Sequence, residues 1–214
     1  MYEFNFIGCV EIKELLGKKA DDELTLFEFI EEVPIDSIYY HMHSYFLRHY
    51  YLAGQYPNDF ANWAALQVRD RVLGEKLASI IPSGNKDLEG IRGNILDVID
   101  RHLVSLKSVP SAISGEPFYF MKSRIIEIPL NIQAKDMEGF IEKLRMVDAS
   151  SIYYHTYEAR LRTPRGKNDF SMWIKEVLKM PHVAEKIEKI DCYMYSLEDL
   201  RSKIIDICAK ESKT

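Results

Sequence analysis

The sequence predicts a mainly α fold with a minor β component (α+β), written as a tandem duplication of a helical unit of about 100 residues that opens on a short strand. Three observations predict it. Ser37-Ile38-Tyr39-Tyr40-His41 returns as Ser151-Ile152-Tyr153-Tyr154-His155, 114 residues further on. Apolar residues recur at three- and four-residue spacing behind Asp, Asn or Ser, which is the pattern of capped amphipathic helices. Each half begins with a Phe-x-Phe alternation, Phe4/Phe6 and Phe118/Phe120, which suits a strand.

The internal match extends along the chain. Asn58-Asp59-Phe60 with Trp63 returns as Asn168-Asp169-Phe170 with Trp173 at a shift of 110, using both tryptophans. Leu88, Glu89 and Arg92 return as Leu197, Glu198 and Arg201 at a shift of 109. Such stepwise changes of register are what short loop deletions produce. The halves are therefore set at 1–107 and 118–214, with 108–117, rich in Ser, Pro and Gly, as linker.

The elements follow in the same order in both halves. Tyr2–Phe6 and Phe118–Phe120 read as short strands, expected to pair with one another. Asp22 and Asp136 stand at N-cap positions of a first helix. Its apolar stripe is Leu26, Phe27, Ile30 and Val33, or Phe140, Ile141, Leu144 and Val147. Asp36 or Ser37, and Ser150 or Ser151, are expected to cap a second helix that carries Tyr-Tyr-His. Asn58-Asp59 and Asn168-Asp169 cap a third, with Phe60, Trp63, Ala64 and Val68, or Phe170, Trp173, Ile174 and Val177, on its inner face. Pro181 must break that helix in the second half, and Gly74 is expected to mark the matching weak point in the first. A last helix starts at Asp87 or Ser196.

Composition narrows the function. Of 214 residues, 47% are hydrophobic and 29% charged, a globular balance. The net charge is −5, so the basic face of a nucleic-acid binder is not expected. Cys9, Cys192 and Cys208 are too few and too scattered for a disulfide framework or a zinc knuckle, and read as thiols of a reducing compartment. With neither a signal peptide nor an apolar run long enough to span a bilayer, a cytoplasmic protein without membrane contact is expected. Neither a Gly-x-Gly-x-x-Gly, a Walker loop, a Gly-x-Ser-x-Gly nor a reactive-cysteine signature is present, so no cofactor is expected and nucleophilic enzymes are disfavoured. His41-Met42-His43 does not argue for a metal, because positions i and i+2 of a helix diverge.

The candidate site residues come from the matched segments. His41 and His155, beside Tyr40 and Tyr154, have two readings: a partly buried imidazole donating one ring N–H, or a ligand-facing acid–base group. The Asn58-Asp59 and Asn168-Asp169 doublets have two readings: both residues serve the helix N-terminus, or one caps and the other orients the histidine. Trp63 and Trp173 either plug the core beneath that cap or stack on a sugar ring. Arg92 and Arg201 either pair with Glu89 and Glu198 or reach the His/Asp corner to hold an anion. Between the second and third helices the first half is aromatic, with Tyr45, Phe46, Tyr50, Tyr51 and Tyr56. The second half is basic there, with Arg160, Arg162, Arg165 and Lys167. A sugar stacking in the first half and a phosphate-bearing ligand in the second are the corresponding expectations.

Ser-Ile-Tyr-Tyr-His, Asn-Asp-Phe-x-x-Trp and Leu-Glu-x-x-Arg together resemble an uncharacterised prokaryotic domain family, over nearly the whole chain. Its members occur alone or beside sugar glycosyltransferases of the trehalose and glycogen synthase type. The resemblance implies a sugar or sugar-phosphate ligand and a glycosyltransferase as partner. The reading is a ligand-binding or regulatory module of carbohydrate metabolism. The alternatives are a His/Asp acid–base enzyme acting on a glycoside or sugar phosphate, and a protein-interaction scaffold.

Overall fold

Phe4 and Phe6, and equally Phe118 and Phe120, turn alternate side chains inward, and each pair starts a strand far longer than the Phe-x-Phe alternation suggests. In the computed structural model, which describes residues 3–49, 56–81, 87–112, 115–163 and 166–211, β1 spans Phe4–Ala20 and β2 spans Phe118–Ala134. The two form a two-stranded sheet. Lys135 meets Glu3, Gln133 meets Asn5, and Lys122 meets Glu14, so the register is antiparallel. Tyr2 lies outside the described residues.

Most of the other described residues are helical. After β1 come α1 (Glu23–Glu32), α2 (Ile35–Met42), α3 (Tyr45–Arg48), α4 (Asp59–Trp63), α5 (Arg71–Ala78) and α6 (Leu88–Val104). After β2 come α7 (Met137–Met146), α8 (Ala149–Tyr153), α9 (Ala159–Arg162), α10 (Asp169–Glu176), α11 (Pro181–Glu188) and α12 (Leu197–Glu211). The protein is thus mainly helical with a minor β part. Among the described residues no helix is long and apolar enough to cross a membrane.

The capping chemistry works largely as the side chains dictate. Asp22, Asp136, Asn58, Asn168 and Asp87 each accept a hydrogen bond from the backbone N–H three residues on, satisfying an otherwise orphaned helix donor. The second helix differs from expectation. It begins earlier, at Pro34 and Asp148, because Pro34 presets the entry conformation and the Asp148 carboxylate already reaches the Ser150 amide. Gly74 is not a break either. The break lies at Arg69, in the left-handed region (φ 68°), after α4 widens into a π-helical turn at Ala64–Val68. Gly74 sits inside α5 because a Cβ there would come within 2.6 Å of the Ala65 Cβ.

Backbone detail repeats between the halves. Lys179, the counterpart of Arg69, also has positive φ (58°), directly before Met180 and the helix-starting Pro181. Gly17 (φ 71°) and Asn131 (φ 56°), 114 residues apart, both adopt left-handed backbone within the two strands. Glycine and asparagine are the residues that reach that region most readily.

The chain divides into two compact units that interleave in sequence. One, the N unit, comprises Glu11–Tyr45 and Gly54–Arg124. The other, the C unit, comprises Met1–Val10, Phe46–Ala53 and Ile125–Thr214. The N unit's core gathers Leu26, Ile30, Ile38, Phe60, Trp63, Leu73, Ile91, Ile95 and Ile99 around Phe118 and Phe120. In the C unit the N-terminal Phe4 and Phe6 fill the same role, against Phe140, Phe170 and Trp173. Each first Phe-x-Phe therefore completes the core of the unit formed by the other half's helices.

Candidate functional site

The Asn-Asp doublets divide their labour. Asn58 and Asn168 are the N-caps, which leaves Asp59 and Asp169, the first residues of α4 and α10, to aim at the histidine helices. In the N unit His41 Nδ1 stands 2.8 Å from Asp59 Oδ2, and in the C unit His155 Nδ1 stands 2.9 Å from Asp169 Oδ2. The other ring nitrogen is also taken. The Met121 N–H donates to His41 Nε2 at 3.1 Å, and the Ile7 N–H donates to His155 Nε2 at 2.9 Å. An amide donor requires a lone pair on Nε2, so each neutral ring carries its proton on Nδ1 and gives it to the aspartate. Burial holds the His155 imidazole below the usual histidine range, although Asp169 pulls the other way.

The residues around this pair fall into place. Tyr154 is buried against the His155 ring, and burial with a hydrogen bond to Glu127 raises its phenol. Arg162 lies 4.2 Å above the Tyr154 ring and donates to Asp169 at 3.0 Å. Tyr154, His155, Arg162 and Asp169 thus converge in the C unit, as Tyr40, His41 and Asp59 do in the N unit. By sequence register Arg48, at the end of α3, is Arg162's counterpart, a residue that sequence reasoning passed over.

Other candidates point elsewhere. Trp63 and Trp173 are buried at 5% and 7% exposure; Trp63 packs on Phe118 and donates its indole N–H to the Glu116 carbonyl. Neither ring offers a face to a sugar. Arg92 and Arg201 do not reach the His/Asp corner. Arg201 donates to the carbonyls of Leu144 and Val147 at 2.8 and 2.6 Å, and Arg92 to that of Glu31 at 3.0 Å, so each closes the open C-terminal end of its unit's first helix. Their pairing with Glu198 and Glu89 is present as well. The aromatic segment is core too: Tyr45, Phe46 and Tyr56 are buried, with Phe46 stacked on Tyr157 in the C unit. Of the basic segment, Arg160 turns inward to the Gly166 carbonyl. Tyr50, Tyr51 and Arg165 lie outside the described residues.

Two further features were not foreseen. The C unit carries a cleft of about 430 Å³ between α10 and α11, lined by Thr163, Lys167, Ser171, Lys175, Glu176 and Glu185 over Met172 and Ala184. The N unit holds Glu23, Asp70 and His102 with one ligand-type atom of each within 4.8 Å of the others. Burial, with Asp70 and Asp22 nearby, pushes the Glu23 carboxyl up to about 8. The signal for this trio was present in the internal match, where Met137 and Met180 replace Glu23 and Asp70. None of the three cysteines is in a disulfide, and burial raises the Cys192 and Cys208 thiols to about 12, away from nucleophilic use.

A helical protein with a matched His–Asp pair in each unit, His41–Asp59 and His155–Asp169, is what the geometry defines. By sequence, residues 1–209 match the family of unknown function DUF5752, and the chain belongs to it. Among solved structures it is similar to OrfY from Thermoproteus tenax, with a TM-score of 0.80 over 100% of this chain and 97% of that one. The identity is 24%, and the likeness is one of fold. No curated protein matches the chain.

Proposed function

We propose that the protein is a non-enzymatic ligand-binding module descended from a duplicated helical unit, and that its ligand site is the cleft between α10 and α11 in the C unit. The cleft is the observation that carries this reading. Its volume of about 430 Å³ suits a small molecule. Ammonium groups of Lys167 and Lys175 supply donors and carboxylates of Glu176 and Glu185 acceptors over an apolar floor, beside the Thr163 and Ser171 hydroxyls, which are held by the Lys167 backbone and by Glu188. A polyhydroxylated ring needs that mixture, so the ligand class is a sugar or sugar phosphate, in keeping with the family resemblance. The mixed charge favours the uncharged sugar. A glycosyltransferase is the partner class the resemblance implies, and three thiols outside any disulfide accord with a cytoplasmic setting.

The acid–base reading is the weaker one. A catalytic imidazole must offer a nitrogen to substrate, and at His41 and His155 the Asp on one side and a backbone amide on the other use both.

A thermal-shift series tests the proposal with glucose, a glucosyl disaccharide and glucose 6-phosphate. A ligand that binds only the native state raises the melting temperature. The expected result is a rise with one of the uncharged sugars that Lys175→Ala and Glu185→Ala remove. No shift with any probe, or a shift both variants retain, contradicts it.

A further inference from the structure

We propose that Glu23, Asp70 and His102 of the N unit form a binding site for one divalent transition-metal cation of the Zn²⁺ class. The ligand atoms are carboxylate oxygens of Glu23 and Asp70 and Nε2 of His102. Asp70 Oδ2 lies 2.8 Å and Glu23 Oε2 3.8 Å from that nitrogen. Zn²⁺ holds nitrogen and oxygen ligands at about 2.0–2.2 Å, so neighbouring donors stand roughly 3.3–3.6 Å apart. Glu23 is nearly at that spacing, and Asp70 has to open by under ~1 Å.

Glu23 supplies the independent observation. Its side chain is fully buried, both carboxylate oxygens lack a hydrogen-bond partner, and one of them faces His102. A buried carboxylate without a partner is costly, and natural cores pair such groups or place them on a metal. The fold does not demand the charge. At the matching positions of the C unit, Met137 is likewise the first residue of α7 and Met180 the residue capping α11. The same corner is thus built with thioethers. Two carboxylates and a neutral imidazole would balance a divalent cation.

The ligands are held by the fold. The other oxygen of Asp70 is fixed as the N-cap of α5, accepting from the Leu73 amide at 2.8 Å. His102 continues the buried stripe Ile91, Ile95 and Ile99 on α6. Such outer contacts orient metal ligands. Lys76 Nζ stands 3.3 Å from His102 Nδ1. With Nε2 on the metal, Nδ1 carries the proton, so the exposed lysine swings into solvent. Asp70, partly exposed, marks the side from which the cation enters.

The test is calorimetric titration of Zn²⁺ into the full, tag-free chain after chelator treatment, with Mg²⁺ as the hard-cation control and melting temperature as second readout. The expected result is one Zn²⁺ per chain with a rise in melting temperature, no comparable response to Mg²⁺, and affinity lowered at least 100-fold in Glu23→Met and His102→Gln. Asp70→Asn, which keeps a capping side chain, lowers affinity without loss of fold. Failure of the wild-type chain to take up Zn²⁺ overturns the proposal. So does uptake that Glu23→Met and His102→Gln leave unchanged, which would place the ion on other histidines or thiols. Neither outcome bears on the C-unit cleft.

Discussion

Asp169 accepts the Nδ1 proton of His155 across 2.9 Å, and the consequence lies on the far side of the ring, where Nε2 is left as an acceptor for the Ile7 amide. Asp59 does the same for His41, whose Nε2 takes the Met121 amide. Each imidazole is a bridge between a helix N-terminus and a strand that enters from a remote part of the sequence. A side chain with one donor and one acceptor in fixed opposition is what such a bridge needs, and neutral histidine supplies it.

Removing the bridge disturbs two partly buried groups at once. His155→Ala leaves the Ile7 amide without its acceptor and the Asp169 carboxylate with Arg162 in place of the ring, and is expected to destabilise the protein by about 1–3 kcal/mol in chemical denaturation. Amide exchange localises the effect: the Ile7 amide loses protection in His155→Ala and the Met121 amide in His41→Ala, with little change in the other unit.

His43 provides a pH dependence. It is buried, neither ring nitrogen has a hydrogen-bond partner, and burial lowers its pKa to about 4 from 6.5. Between those values the unfolded chain binds a proton that the native chain does not. Stability is therefore complete above pH 6.5 and falls as pH drops toward 4, by at most about 3 kcal/mol. His43→Tyr installs the residue found at the matching position, Tyr157, and is expected to flatten that part of the profile. An unchanged acid limb in denaturation midpoints between pH 4 and 6.5 counts against it.

Gly74 is a packing glycine. Gly74→Ala puts a methyl 2.6 Å from the Ala65 Cβ, and overpacking of this kind costs about 1–3 kcal/mol. Ala65→Gly in the same chain is expected to restore most of it, whereas two independent sites would simply add.

The matched arginines differ in weight. Arg201 is buried and bonds two carbonyls as well as Glu198, so Arg201→Met is expected to cost about 2–4 kcal/mol. Arg92, more exposed and bonded to one carbonyl besides Glu89, is expected to cost about 1 kcal/mol or less. Denaturation midpoints of the two variants, measured side by side, check the order.

Much of the helical part was legible because capping and stripe residues act locally: Asp22, Asp136, Asn58 and Asn168 cap as their chemistry requires. The His–Asp partnership was legible too, since a doublet has one residue more than a cap uses. The strands were not. Beyond Phe6, β1 turns Val10, Ile12 and Leu15 outward and interleaves them with charge, so the alternation that marks a half-buried strand is lost. The ring nitrogen's second partner was hidden for a different reason, because a backbone amide 148 residues away leaves no side-chain signature. Glu23, Asp70 and His102 escaped notice because distant residues meet only in the fold.

The most direct test of the account is the protonation form of His41 and His155, read from imidazole ¹⁵N shifts and long-range couplings in selectively labelled protein at neutral pH. Both rings are expected to be neutral with the proton on Nδ1. A proton on Nε2 in either ring, or fast averaging between the two forms, would contradict it and return the imidazoles to the pool of groups free to meet a substrate.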